Sequence, residues 1–232
     1  MTRNDTPPAT TAEAVAILGG TGNLGYGLAL RLGRAGYSVL IGSRSEDRAR
    51  EAADRASTAV PEAHITGASN EEAAGAAARL VVVAVPFVSQ VATLRSVSPA
   101  LREGQVVLDA TVPLGPAVGG RPTQLVGVWS GSAAQQARSA VPEHVGVVSG
   151  LHTLSAATLE DLDETVDQDT LICGDSAADK QVVQEVLGRI EGLRVVDAGR
   201  LEMSRMVEGL TPLLIGINIR NKTHAGIRVV GL

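Results

Sequence analysis

The sequence predicts an α/β protein: a doubly wound parallel sheet followed by a small, mainly helical C-terminal domain. Three observations predict it. Short Val-, Leu- and Ile-rich runs alternate with segments of helical period as far as residue 150. No hairpin signal joins one run to the next, so the strands are expected to lie parallel with helices on both faces. The first run also feeds directly into GGTGNLG at residues 19–25, a glycine turn of the Rossmann type.

The elements follow in chain order. AVAIL (14–18) is a short buried strand, and residues 23–35 place Leu24, Leu28, Leu32 and Ala35 at helical spacing. Gly36 ends that helix, as glycine commonly does just past a last turn. SVLIG (38–42) is the second strand and 46–57 an Ala/Arg/Glu-rich helix. HITGA (64–68) is a weaker third strand, followed by a helix that Asn70 is expected to cap. LVVVAV (80–85) is the clearest strand, stopped by Pro86, with a helix over 87–95. QVVLDA (105–110) is a fifth strand, and the Gly/Pro-rich residues 111–122 form a loop. A helix over 132–140, capped by Ser130 or Ser132, leads to the sixth strand, HVGVVS (144–149). Beyond Gly150 the chain reads as TLICG, a helix over 179–190, LRVVDAG, and one long apolar helix over 201–219. These features divide the chain into a polar tail (1–13) expected to be disordered, a nucleotide-binding domain (14–152) and a small C-terminal domain (153–232).

Composition narrows the function classes. Aromatics make up only 2% of the residues (Tyr26, Tyr37, Phe87 and Trp129), too few for the stacking platforms that grip single-stranded nucleic acid. A net charge of −5 with no basic block argues against DNA or anionic lipid as a partner. No apolar run approaches the roughly 20 residues needed to span a bilayer, and the polar tail does not resemble a signal peptide. The one cysteine, Cys173, cannot form a disulfide within the chain, which suits a reducing cytoplasm. It has no CxxC or histidine motif nearby and is expected to be a buried structural thiol. His64, His144 and His224 lack metal-ligand spacing, so no metal site is expected.

Gly20, Gly22 and Gly25 fit G-x-G-x-x-G between a strand and a helix. One glycine permits the tight turn, one lets backbone approach a pyrophosphate, and one lets the helix pack on the strand. The helix N-terminus then offers unpaired N–H groups and partial positive charge to phosphates. About 20 residues further on, NAD-binding chains place an acid that bonds the ribose 2′-hydroxyl. This chain has Ser43 and Arg44 there, with Arg48 one helical turn beyond and Thr21 within reach in the glycine turn. An arginine attracts a 2′-phosphate and bonds it through paired N–H donors, so the pocket reads as one for NADP(H). The competing reading makes Arg44 and Arg48 solvated partners of Glu46, Asp47 and Glu51.

A second substrate is expected beyond the carboxyl ends of the strands. Val85 and Pro86 would wall a nicotinamide ring, the loop from Thr111 is a second candidate, and SGLHTL (149–154) a third. Asp109 ends a strand but has no nameable base or metal partner. His152 either orients a bound ring or makes a structural hydrogen bond at the domain junction.

From about Val15 to the C-terminus the chain resembles the F420-dependent NADP reductases. AILGGTGNLGYGLALRLGRAGYSVLIGSR resembles that family's start, GLHTLSA with the following LDE and CGD its middle, and LRVVDAGRLEMSRMVEGLTPLL its C-terminal helices. The resemblance implies a reversible hydride transfer between NADP(H) and the deazaflavin coenzyme F420, in a cleft closed by the C-terminal domain. Carried over by position, Gly20, Gly22, Asn23 and Leu24 match the pyrophosphate turn, and Thr21, Ser43, Arg44 and Arg48 the 2′-phosphate pocket. Val85 and Pro86 match the nicotinamide wall. His152 and Leu154 match the catalytic positions lining the ring-stacking site, where the role is positioning. Two departures stand out: Ser45 occupies a place where some members have a second basic residue, and Asn221, Lys222, Thr223 and His224 replace a Gly-Met-Gly run. A homodimer through the apolar stretch 206–219 is also expected, helped by the resemblance. The alternatives are an NADPH-dependent reductase of a flavin or a small imine or ketone, and an NADPH-binding sensor without turnover.

Overall fold

The computed structural model describes residues 13–232. The tail expected over residues 1–13 thus lies outside the described residues except for Glu13, whose carboxylate pairs with Arg79. Eight strands form one sheet in the order β3-β2-β1-β4-β5-β6-β7-β8. These are β1 (Ala14–Leu18), β2 (Ser38–Ser43), β3 (Ile65–Ser69), β4 (Leu80–Val83), β5 (Val106–Asp109), β6 (Gly146–Ser149), β7 (Gln168–Gly174) and β8 (Leu193–Asp197). The first six are parallel, and the order reverses between β1 and β4. That reversal is where such sheets open a crevice at their carboxyl edge.

The helices are α1 (Asn23–Arg34), α2 (Glu46–Ala59), α3 (Asn70–Ala76), α4 (Phe87–Val97), α5 (Ala133–Arg138), α6 (Ala156–Glu160), α7 (Ala177–Leu187), α8 (Ser204–Glu208) and α9 (Leu210–Asn221). Two apolar cores flank the sheet. One packs α1, α2, α6 and α7 on side chains such as Ile17, Ile41 and Leu108; the other packs α3, α4 and α5 on Leu18, Val81 and Val107. With few aromatics available, both cores are built from aliphatic side chains, each contributing about 1.5–3 kcal/mol on full burial. Cys173 is a buried free thiol, and burial pushes its pKa up.

Several elements depart from the sequence reading. Ser69, not Asn70, caps α3: its hydroxyl accepts from Glu72 N–H while the Glu72 carboxylate accepts from Ser69 N–H. Of the two caps open for α5, Ser132 is the one used. The long apolar helix expected over 201–219 is three pieces: a single 3-10 turn (Leu201–Met203), α8 and α9. Pro212 has no N–H to give the carbonyl four residues back, so the chain restarts as α9 with this proline in its first turn.

The two C-terminal strands join the main sheet. β7 runs antiparallel to β6, paired only at Val148–Gly174 and Ser149–Cys173, so most of β7 extends past the carboxyl end of β6. β8 pairs parallel with β7.

Candidate functional site

At the β1/β4 switch point a cleft of about 500 Å³ opens between the glycine turn, the end of β2 and the segment after β4. Its lining includes Thr21, Gly22, Ser43, Arg44, Arg48, Val85 and Pro86. Residues some 65 positions apart thereby meet because parallel strands bring their carboxyl ends to one edge.

The glycine turn is shaped by backbone contacts. Gly19 holds φ +77°, and a Cβ there would lie 2.7 Å from Val85 Cγ1 and 2.8 Å from Ala84 O. The turn therefore closes against the β4 end only with glycine at that position. Gly20 N–H bonds Ile17 O and Gly42 O, both at 3.1 Å, tying the turn to β2. Gly20 is buried and shapes the turn without lining the cleft; Asn23 is exposed at the start of α1, and Leu24 packs against the core. Gly22 caps α1 without any side-chain bond, and the first turn of α1 carries no acid. The leading N–H groups of α1 thus remain free for an anion, in the favourable direction of the helix dipole.

The end of β2 supplies cations. Glu46 and Asp47 both pair with Arg50, on the next turn of α2. Among the described residues Arg44 and Arg48 form no ion pair, and both line the cleft. The Ser43 oxygen accepts from Ser45 N–H at 3.2 Å, which leaves the Ser43 hydroxyl proton to donate. Ser45 is the N-cap of α2, accepting from Arg48 N–H. A serine in this place keeps α2 aimed at the cleft rather than adding charge. Free helix N–H groups, two unpaired guanidiniums and a donor hydroxyl are the complement of a pyrophosphate with an additional phosphate nearby.

Sequence reasoning missed Asn70, Ser89 and Thr93, which also line the cleft. Ser89 and Thr93 lie four residues apart on α4 and share its inner face. A serine and a threonine four residues apart on the helix directly after Pro86 were the available signal. Asn70 is buried with its Oδ1 unpartnered.

His152 and Leu154 lie elsewhere. They follow β6, three strand spacings or about 14 Å from β1, and do not line this cleft. Leu154 is half-buried against the same core as Leu24. His152 is 5% exposed, and neither ring nitrogen has a hydrogen-bond partner. Burial pushes its pKa down to about 4, opposed only by the nearby Asp109 main chain. The ring is therefore neutral at physiological pH. Leu151, just before it, adopts φ +69°, an uncommon conformation for a buried leucine. Thr211 Oγ1 donates to His152 O at 2.8 Å, joining this turn to α9. Lys222, Thr223 and His224 line a separate hollow against residues 157–168.

Asp109 does find partners. It is fully buried, accepting from Gln90 Nε2 at 2.9 Å and from the Thr111 hydroxyl at 3.0 Å. Glu208 of α8 is also buried and accepts from Ala133 N–H at 3.0 Å and Ala134 N–H at 3.1 Å. Burial pushes both carboxyls up to about 7, with the Asp109 charge adding to the shift at Glu208. A raised carboxyl holds its proton in the folded state where the unfolded chain has lost it. The stabilisation is therefore present below the ordinary pKa, 3.8 for Asp109 and 4.5 for Glu208, and lost as pH rises through about 7. His152 acts in the opposite sense between about 4 and 6.5. Asp109→Asn keeps the shape and removes the titration. Denaturant unfolding should show the variant losing less stability than wild type between about pH 4.5 and 7.5; identical pH dependence would contradict the burial account.

Fold and cleft define a dinucleotide-binding protein of the Rossmann type. Comparison with known proteins makes this more specific. Residues 14–113 match the family described as "NADP oxidoreductase coenzyme F420-dependent". The F420-dependent NADP reductase of Methanocaldococcus jannaschii is 40% identical over 223 residues, covering 94% of this chain and 98% of the relative. That of Methanothermobacter marburgensis is 40% identical over 222 residues, with the same coverage of each chain. A solved structure from Arthrobacter sp. FB24, provisionally described as an F420-dependent NADP-reductase, superposes with TM-score 0.78 at 28% identity. It covers 93% of this chain and 98% of the other. The chain belongs to the F420-dependent NADP oxidoreductase family.

Proposed function

We propose that this protein transfers a hydride reversibly between NADP(H) and the deazaflavin coenzyme F420. The observation that carries the reading is the cationic end of the cleft, where Arg44 and Arg48 stand unpaired beside Ser43. Identity of 40% to reductases of that name over nearly the whole chain supports it.

In this reading the free N–H groups at Gly22, Asn23 and Leu24 seat the pyrophosphate, with Gly20 holding the turn. Thr21, Ser43, Arg44 and Arg48 bind the 2′-phosphate. Val85 and Pro86 give the nicotinamide an apolar wall, and His152 and Leu154 form the seat of the deazaflavin ring. When bound, the two cofactors supply the hydride donor and acceptor, and the chain contributes alignment and exclusion of water. A neutral His152 suits a positioning role, since a charged ring there would bias one redox state of the acceptor.

The nucleotide-binding part is 14–152, and the part from 153 onward closes the deazaflavin cleft. The extension of β7 past the sheet edge and the Thr211–His152 bond support that division of labour. A homodimer is supported by apolar side chains left exposed on α8 and α9: Met206, Leu213 and Ile219. Among the described residues no helix is long and apolar enough to cross a membrane. A cytoplasmic setting is supported by the free thiol of Cys173.

Mixing the protein with NADP and reduced F420, and following absorbance, tests the reading. Turnover with F420 but not with an ordinary flavin or an imine is expected. Tight NADPH binding without any turnover would instead favour a sensor.

A further inference from the structure

The chain between β6 and β7, residues 150–167, contains α6 and lies across the flank of α1. Arg31, in the third turn of α1, holds it there. The residue is only 5% exposed, yet among the described residues its guanidinium pairs with no carboxylate. Nε donates to Leu159 O at 3.0 Å, and Nη2 faces Thr158 O and Glu164 O, each at 2.8 Å, as well as Asp161 O. Arg34 Nη1 adds a bond to Leu162 O at 2.6 Å. The helices touch closely because Gly27 is bare: a Cβ there would lie 2.8 Å from Leu159 Cβ and 3.1 Å from Glu160 N.

Burying an arginine is a costly way to pack two helices, since a leucine would fill the space without desolvating a charge. What the guanidinium adds is geometry. A planar fork bonded to several carbonyls at the end of α6 and in the chain just after it admits a single register, where apolar packing tolerates sliding. That register matters because of what α1 and the strap carry. The N-terminus of α1 is the proposed seat of the pyrophosphate, and Arg31 sits eight residues beyond Asn23, about 12 Å along the same rod. The strap begins at Leu151, His152 and Leu154, the proposed seat of the deazaflavin. One rigid helix thereby connects both seats.

We propose that Arg31 is a positioning residue for hydride transfer, locking the strap to α1 and so setting the approach of the deazaflavin ring to the nicotinamide. This rests on the assignment of His152 and Leu154 in the proposed function.

The test compares wild type with Arg31→Leu, Arg31→Lys, Arg34→Ala and Gly27→Val, using NADPH and oxidised F420. Gly27→Val displaces the strap while leaving Arg31 intact. Arg31→Leu and Gly27→Val are expected to lower kcat/KM for F420 roughly 10- to 100-fold, with NADPH Kd unchanged. Arg31→Lys should recover part of the loss, and Arg34→Ala should show a smaller one. Amide hydrogen exchange should quicken over residues 155–164 but not over α1. A folded Arg31→Leu with wild-type F420 kinetics would overturn the proposal, as would a parallel loss of NADPH affinity. If that variant does not fold, Arg31→Lys and the more exposed Arg34→Ala carry the same comparison. Absence of F420 turnover in wild type would overturn the proposed function and this inference together, whereas wild-type turnover with no effect in any variant would overturn this inference alone.

Discussion

Arg44→Asp is expected to weaken NADPH binding by about 1.5–3 kcal/mol, roughly a 10- to 150-fold rise in Kd, while NADH affinity stays within about twofold. The size follows from replacing a charge-assisted contact to phosphate with a repulsive carboxylate. Arg44 is exposed, so solvent screening places the effect toward the lower end. The selectivity follows from the cleft itself. Glu46 and Asp47 pair with Arg50, so in the proposed pocket Arg44 and Arg48 would meet the 2′-phosphate without an ion-pair partner of their own. NADH has no group at that point and loses nothing when the charge is reversed. Fluorescence titration of both nucleotides measures the difference; an equal loss for the two would place the 2′-phosphate elsewhere.

Gly25→Val should affect both nucleotides alike. A Cβ at Gly25 would lie 2.8 Å from Gly19 O and 2.8 Å from Gly20 Cα. Both are backbone atoms, so no side chain can rotate aside, and the turn must open. Forcing bulk into such a contact costs about 1–3 kcal/mol, and at about 2 kcal/mol the Tm of a chain this size falls by about 4–8 °C. The same displacement misaims the leading N–H groups of α1, so NADPH and NADH should both bind at least about tenfold more weakly. Thermal melting beside nucleotide titration separates the two consequences. Unchanged NADPH affinity would mean that the turn does not carry the pyrophosphate.

The nucleotide half of the molecule was legible because its signals are local. LVVVAV and QVVLDA can hardly be anything but buried strands, and a glycine turn between a strand and a helix carries its own explanation. Ser43 and Arg44 could be read because the end of β2 lies a known distance from the turn. Elsewhere the deciding interactions join residues far apart in the chain. Arg31 reads as an ordinary polar position on an amphipathic helix, and its carbonyl partners lie some 130 residues away. Gln90 meets Asp109 only once α4 packs on the sheet, and Glu208 is brought near by α8, whereas the Thr111 bond lies two residues away and is local. The antiparallel direction of β7 against β6 is a matter of chain path that no periodicity encodes. Gly209 and Pro212 within the run are the local signal for the break between α8 and α9. The Asn70 cap was off by one residue because both Ser69 and Asn70 are competent caps. The reciprocal Glu72 spacing from Ser69 was the signal that separates them.

Direct passage of hydride between two rings aligned by this chain is tested by isotope. NADPH deuterated at its hydride-donating position is incubated with the protein and oxidised F420 in ordinary water, and the reduced deazaflavin is analysed by mass spectrometry. The label is expected on the deazaflavin, transferred from one face of the nicotinamide only. Reduced product without label, or label lost to solvent, would contradict direct transfer between stacked rings.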